Sequence, residues 1–141
     1  MGAPRVVGLL TRDHAMWWPL LAPWIERAIA RAPACDIGID DVREQASDGR
    51  AWGFLVIDGA QVIGGYATRT DTERSGRRVV RLLAGGGERF SEWMDDALTL
   101  MRRQAQMFGC SHLVAGGRRG WIRRLRSRGW HEAGDGFEAE V

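Results

Sequence analysis

A short apolar strand pattern, a cluster of glycines and a long amphipathic helix pattern follow one another in this chain and constrain its fold most. Val79 to Leu83 predicts the strand, Ala84 to Gly87 the turn, and residues from about Glu88 to Phe108 the helix. At such a corner backbone N–H groups and the helix dipole converge, which favours a phosphate-bearing ligand. A second interpretation stays open, because the glycines could simply let strand and helix pack closely.

A β-hairpin is predicted just before this segment. The runs Trp52 to Ile57 and Gln61 to Thr68 read as strands, and Asp58-Gly59 between them is typical of a type I′ turn. A polar loop, Thr70 to Gly76, then leads into a strand at Arg78 to Leu83. The sequence therefore predicts three consecutive antiparallel strands.

Further strands and helices are predicted on both sides of this centre. The N-terminal part holds a strand, a helix that starts at about one of two prolines, and a short helix opened by two aspartates. The C-terminal part holds a strand, a basic helix and a last strand. In chain order these elements are Arg5 to Leu10, Pro19 or Pro23 to Arg31, Asp40 to Ala46, His112 to Ala115, Arg119 to Arg128, and Phe137 to Val141.

Length and composition indicate one compact domain, residues 1–141. A chain of 141 residues that is 45% hydrophobic can bury a full core. No apolar run approaches the ~20 residues that a membrane span needs, and no signal segment is evident, so we expect a cytoplasmic protein without a membrane partner. Cys35 and Cys110 lie in no metal-ligand spacing and are expected to be buried thiols, so no metal site is predicted.

All 20 basic residues are arginine, and the chain has neither lysine nor asparagine. A Schiff-base lysine, a P-loop lysine and any asparagine side chain are therefore excluded from the mechanism. The net charge of +2 is too small to indicate nucleic-acid binding by itself.

Three tryptophans near the N-terminus, Trp17, Trp18 and Trp24, allow two interpretations. They could form the wall of a substrate cleft, or they could pack in the core. Core packing is favoured because large aromatic side chains mostly serve burial.

The order of the predicted elements resembles the GCN5-related N-acetyltransferase (GNAT) superfamily over nearly the whole chain. Three stretches carry the resemblance: Trp52 to Gly64, Leu82 to Arg89, and Arg123 to Trp130. The chain is also similar to small GNAT-like proteins encoded by phages. The resemblance implies an α/β (α+β) fold with a mixed, mostly antiparallel central sheet and helices on both faces.

The resemblance further implies acetyl-CoA as the cofactor and an amine as the acetyl acceptor. The pyrophosphate loop of the family places glycines at Gly85 and Gly87, whereas Leu82 stands where the family has a glutamine or arginine. The thioester carbonyl would be polarised by a backbone N–H near Leu83. The cofactor-binding residues predicted on this basis are Leu83, Gly85, Gly86, Gly87, Glu88 and Arg89.

The resemblance assigns no catalytic residue. Many family members have a tyrosine four residues before a Gly-Phe pair, and this chain has Leu125 there, while its one tyrosine, Tyr66, falls on a predicted central strand. A general base must be a carboxylate or histidine that can reach the amine. The candidates are Asp71, Glu73 and His112, and spacing selects none of them.

A dense basic segment, Arg118 to Arg128, could contact the 3′-phosphate of the cofactor, a nucleic-acid backbone or an acidic protein, or could form a solvated helix face. Two functions therefore stay open. One is an acetyl-CoA-dependent N-acyltransferase, and the other is a catalytically degenerate GNAT-like binding or assembly protein that works through protein or nucleic-acid contacts.

Overall fold

The computed structural model describes residues 3–31, 37–116 and 123–141. Helices are α1 (His14–Ala30), α2 (Ile39–Ser47) and α3 (Phe90–Met107), with short 3-10 turns at Thr11–Asp13 and Arg126–Arg128. Strands are β1 (Arg5–Gly8), β2 (Ala51–Asp58), β3 (Gln61–Thr72), β4 (Arg78–Gly87), β5 (His112–Ala115), β6 (His131–Ala133) and β7 (Gly136–Glu140). No helix within these ranges is long and apolar enough to cross a membrane.

The strands form one seven-stranded sheet in the order β1-β2-β3-β4-β5-β7-β6. All neighbours are antiparallel except β4 and β5, which the crossover through α3 makes parallel. The predicted hairpin is confirmed, since Asp58 pairs with Gln61, but the predicted type I′ turn is wrong. The central residues of the turn are Gly59 and Ala60, and only Gly59 has a positive φ (59°), as in a type II′ turn.

Helices cover both faces of the sheet, as predicted. Alternate strand residues such as Val80 and Leu113 pack against α3 in one core. Residues of the other parity, such as Leu55 and Ala67, pack against α1 and α2 in a second core. The predicted mixed fold with a mostly antiparallel sheet is confirmed.

Helix α1 corrects one prediction, since it begins at His14 and holds both Pro19 and Pro23 in its interior. Each proline removes a backbone hydrogen bond. The helix nevertheless runs through because one of its faces is fully apolar: Trp17, Leu21 and Ile25 are all buried against the sheet. Tertiary burial outweighs the local preference here.

Strand β4 corrects a second prediction. The glycines expected to form a turn after Leu83 continue the strand to Gly87, and α3 begins at Phe90 instead of Glu88. The cause is the neighbouring strand, because Gly64 pairs with Gly87 and Gly65 pairs with Gly86, so two glycine-rich segments approach closely. Strand β1 ends at Gly8, before the predicted limit, and the short strand β6 was not predicted.

Two further predictions concern single side chains. Trp17 is 5% exposed and donates from Nε1 to the Leu10 carbonyl at 2.7 Å, so it is a core residue, whereas Trp18 and Trp24 are half-buried. Cys110 is a buried free thiol, and Cys35 lies outside the described residues.

Candidate functional site

The centre of the sheet carries a bulge at Leu83. Ala67 of β3 pairs with Ala84 and Thr68 pairs with Leu82, so Leu83 is an extra residue on β4. Pairing between β4 and β5 ends at the same place, at Leu82 and Ala115, although β4 runs on to Gly87. Beyond the bulge, β4 still pairs with β3, but its other edge no longer pairs with β5.

A cavity of about 460 Å³, a volume that includes its open mouth, lies beside this point. Its walls come from β3, β4, β5, α3 and the segment after residue 123, and nearly all of them are apolar. The lining residues are Tyr66, Leu82, Gly85, Gly86, Phe90, Trp93, Met94, Ala97, Leu98, Met101, Ala115, Leu125 and Trp130. A site with this lining suits a largely apolar ligand.

The predicted glycines have different surroundings. A Cβ on Gly85 would lie 2.3 Å from the Cβ of Tyr66, and one on Gly87 would lie 2.6 Å from the Cα of Gly64. A Cβ on Gly86 would meet no atom within 4 Å. Close packing of β3 and β4 therefore explains Gly85 and Gly87. Gly86 pairs with Gly65, whose Cβ would meet Leu21 of α1, so a side chain on Gly86 would point to the α1 face of the sheet, and Gly86 lines the cavity through its backbone.

The start of α3 lacks the free cation that the sequence suggested for an anion. Arg89 has a left-handed backbone (φ 56°), and its guanidinium donates to Glu92 at 2.5 Å and makes a second ion pair with Asp58. Both carboxylates raise the pKa of Arg89, Glu92 first. The Glu88 N–H donates to the Ile63 carbonyl, and the Glu88 carbonyl accepts from Trp93 Nε1 at 2.8 Å.

The three candidate bases belong to one charged network. Asp71 accepts from Arg69 at 2.6 Å and from Arg81 at 2.8 Å, and Glu73 accepts from Arg77 at 2.5 Å. Burial raises the pKa of Asp71, but the two arginines outweigh it and hold the pKa below its usual range. Arg77 likewise lowers the pKa of Glu73. Carboxylates engaged in this way are weak proton acceptors.

His112 lies at the other end of the same network. Its Nδ1 is 2.7 Å from the hydroxyl of Ser111, and its Nε2 is 3.7 Å from Glu138, which Arg77 binds with two nitrogens. Arg77 lowers the pKa of Glu138. Because Leu113 faces α3, the neighbouring His112 side chain belongs to the opposite face of the sheet.

Residues that sequence reasoning did not assign form much of the cavity wall. Tyr66 stacks on Phe54 with ring centroids 4.6 Å apart, and it lies parallel to Trp93 at 6.3 Å. Trp130 and Leu125 close the wall from the C-terminal segment. Strand alternation could have oriented Tyr66 toward α3, but nothing in the sequence indicated that Trp130 reaches the same space.

The basic segment is described from Arg123 onward, and Arg118 and Arg119 lie outside the described residues. Arg128 donates to Asp95 at 2.5 Å, Arg126 lies 3.8 Å from Glu132, and Arg124 lies over the ring of Phe90. Much of this charge therefore has partners within the chain, and contact with nucleic acid or with an acidic protein stays a prediction.

Comparison with known proteins identifies the fold. No protein-family model matches the sequence, and no curated protein matches it significantly. The chain is similar in structure to a chain of the NatC complex bound to Gag peptide and CoA, with a TM-score of 0.71, 9% identity and 99% of each chain covered. It is also similar to an aminoglycoside acetyltransferase from an uncultured soil metagenomic sample, with a TM-score of 0.70, 11% identity, and 94% of this chain and 95% of that chain covered. A predicted acetyltransferase with acetyl-CoA from Clostridium acetobutylicum matches with a TM-score of 0.66, 11% identity, and coverage of 92% of this chain and 91% of that chain. These similarities show that the chain has the GNAT fold.

Proposed function

We propose that this protein is an N-acyltransferase that binds acetyl-CoA in the cavity and transfers its acetyl group to an amine. The observation that carries the proposal is the bulge at Leu83, where β4 and β5 stop pairing and the apolar cavity opens beside Gly86. Two of the structurally similar proteins were crystallised with CoA or acetyl-CoA, which supports this ligand.

The residues at the site fit the pantetheine arm of the cofactor. Apolar walls suit its methylene groups, and the strand edge beyond Leu83 offers backbone N–H and C=O groups to its amides. A backbone N–H near the bulge would polarise the thioester carbonyl. The diphosphate would bind at the first turn of α3, beside Glu88 and Arg89, where the fit is poorer because Arg89 already holds two carboxylates.

Catalysis would depend mainly on placing the amine against the thioester carbonyl. When bound, acetyl-CoA supplies an activated acetyl group. Asp71 and Glu73 are engaged with arginines, and Leu125, at the position of the family's tyrosine, is a buried wall residue that can donate no proton. Positioning of two reactants lowers the barrier without a dedicated acid or base.

Titration calorimetry with acetyl-CoA tests the proposal. Wild-type protein is expected to bind in the micromolar range. Ala97→Val should weaken binding at least ~10-fold, about 1.4 kcal/mol, because Ala97 of α3 lines the cavity and the added methyl groups would occupy part of it.

Ala15→Val is the matched control. Ala15 is an exposed residue of helix α1, which covers the face of the sheet opposite α3, and it does not line the cavity. Its affinity should equal that of wild type. An absence of heat with wild-type protein at millimolar acetyl-CoA would remove the proposal.

A second candidate function is a non-catalytic GNAT-fold binding protein. It is favoured by the absence of a proton donor at Leu125 and by the paired state of both candidate carboxylates. The two functions differ in turnover. When acetyl-CoA is mixed with amine acceptors, including peptide N-termini, an enzyme produces free CoA. A binding protein binds acetyl-CoA and produces no CoA.

A further inference from the structure

Two buried hydrogen-bond donors at the cavity have no partner in the protein. In the described ranges, three buried side-chain polar atoms lack a hydrogen bond: Tyr66 Oη, Trp130 Nε1 and His14 Nε2. Tyr66 and Trp130, each 3% exposed, both line the cavity. Buried polar groups are normally paired, so two exceptions at one cavity indicate a ligand that supplies the acceptors.

We propose that the Tyr66 hydroxyl and the Trp130 indole N–H bind carbonyl oxygens of the ligand, so that the cavity selects an elongated, mainly apolar molecule with amide or thioester carbonyls. This inference rests on the proposed function, because a pantetheine arm with its acyl group has that chemistry. A purely hydrocarbon ligand would leave both donors unpaired. A phosphate group would meet apolar walls that cannot solvate it.

Other tryptophans of the chain show that a buried indole N–H is normally satisfied here. Trp17 donates to the Leu10 carbonyl at 2.7 Å, and Trp93 donates to the Glu88 carbonyl at 2.8 Å. An indole N–H can only donate a hydrogen bond, so Trp130 Nε1 needs an acceptor. The side chains that line the cavity are mostly aliphatic and aromatic, so they supply no strong acceptor, and we assign this role to a bound ligand.

Ring stacking fixes the orientation of the Tyr66 side chain and therefore the position of its hydroxyl. The ring stacks on Phe54 with an angle of 11° and lies parallel to Trp93 within 1°. Tyr66 is also paired with Gly85, whose missing side chain leaves the room that Tyr66 occupies. Burial first, and then the charge of Asp96, raises the pKa of Tyr66, so the hydroxyl stays protonated at neutral pH and acts as a donor.

The two donors come from elements that are far apart in the sheet. Tyr66 is on β3, and Trp130 precedes β6, with β4, β5 and β7 between these strands. The backbone N–H of Trp130 is bonded to the Leu125 carbonyl at 3.2 Å, which anchors the residue at the end of its short helical segment. A ligand that contacts both donors must therefore cross the region where β4 and β5 cease to pair.

Calorimetry with acetyl-CoA on Tyr66→Phe and Trp130→Phe tests the inference. Each variant removes one donor and is expected to weaken binding about tenfold, which corresponds to about 1.4 kcal/mol. Ligand-free Tyr66→Phe should melt at the same temperature as wild type or higher, because it loses an unpaired buried hydroxyl. A purely structural role for Tyr66 would not produce weaker binding together with unchanged or higher stability.

Trp17→Phe is the matched control for the indole, since it removes an N–H that is satisfied within the second core. It should lower the melting temperature and leave the affinity for acetyl-CoA unchanged. If wild-type protein binds acetyl-CoA and Tyr66→Phe binds it equally well, this inference is wrong and the proposed function stands. If wild-type protein does not bind acetyl-CoA, both are overturned.

Discussion

Alanine substitutions at Gly85 and Gly86 separate the two interpretations of the glycine cluster. At Gly85 a Cβ would lie 2.3 Å from the Cβ of Tyr66, 2.9 Å from its Cα and 3.0 Å from the Gly65 carbonyl oxygen. None of these atoms is the far end of a flexible side chain, so β3 itself must shift. At Gly86 the added methyl group meets no atom within 4 Å.

The expected free energies of unfolding follow from these distances. Overpacking costs about 1–3 kcal/mol, and Gly85→Ala should fall at the upper end because backbone must move. Gly→Ala at a permissive site stabilises by about 0.4–1 kcal/mol through the unfolded chain, and Gly86 has no positive φ that would forbid it. The two neighbouring variants should therefore differ by ~2–4 kcal/mol, with Gly86→Ala the more stable.

Urea unfolding followed by tryptophan fluorescence measures the difference. With m-values of about 1–3 kcal/mol/M, the midpoints of the two variants should be separated by roughly 1 M or more at unchanged m. Equal midpoints would refute the reasoning. They would mean that Gly85 does not pack against Tyr66 and that the cluster is the flexible turn that its composition suggested.

Two further predictions concern buried polar groups. Because Arg69 and Arg81 lower the pKa of Asp71 despite its burial, the ion pairs stabilise the fold above the ordinary pKa of aspartate, near 4, and this stability is lost as pH falls through the lowered value. Asp71→Asn should thus cost about 1–2 kcal/mol at pH 7 and progressively less toward pH 2 in urea titrations, and a cost that does not vary with pH would contradict this account. Thr68→Val should cost about 1–3 kcal/mol in the same assay, since the buried Thr68 hydroxyl donates to buried Gln104 at 2.7 Å. Thr99→Val, at an exposed threonine on α3, should change stability by less than about 0.5 kcal/mol, and equal effects at the two positions would count against the buried pair.

Locally encoded features were predictable from the sequence, and features set by neighbouring strands were not. Asp58-Gly59 predicted the hairpin because a glycine between two strand patterns marks a tight turn, although the turn is centred on Gly59 and Ala60 and is not of type I′. The apolar stripe of α3 predicted that helix to within two residues of its observed start. The bulge at Leu83 depends instead on the register between β3 and β4, which no local pattern encodes.

The candidate site was predicted in part for the same reason. Gly86 was singled out as a cofactor-binding residue, which stays a prediction, but the sequence could not show that it differs from Gly85 and Gly87, because the difference lies in the atoms of β3 that face each of them. Trp130 was out of reach of sequence reasoning. The crossover from β4 through α3 to β5 brings Trp130 to the same cavity as Tyr66, although the two are 64 residues apart in the sequence.

The charges at the start of α3 bear on how affinity is divided along the cofactor. Arg89 is held by Glu92 and Asp58, so two carboxylates bind its guanidinium, and a third acidic residue, Glu88, precedes it in the chain. A diphosphate would have to displace one of these carboxylates or rely on backbone N–H groups, and either choice leaves repulsion from the others. The cavity differs from this charged site, because its walls are apolar and two hydrogen-bond donors there have no partner in the protein. Selection of the ligand should therefore rest on the arm and its acyl group, and the nucleotide should contribute less.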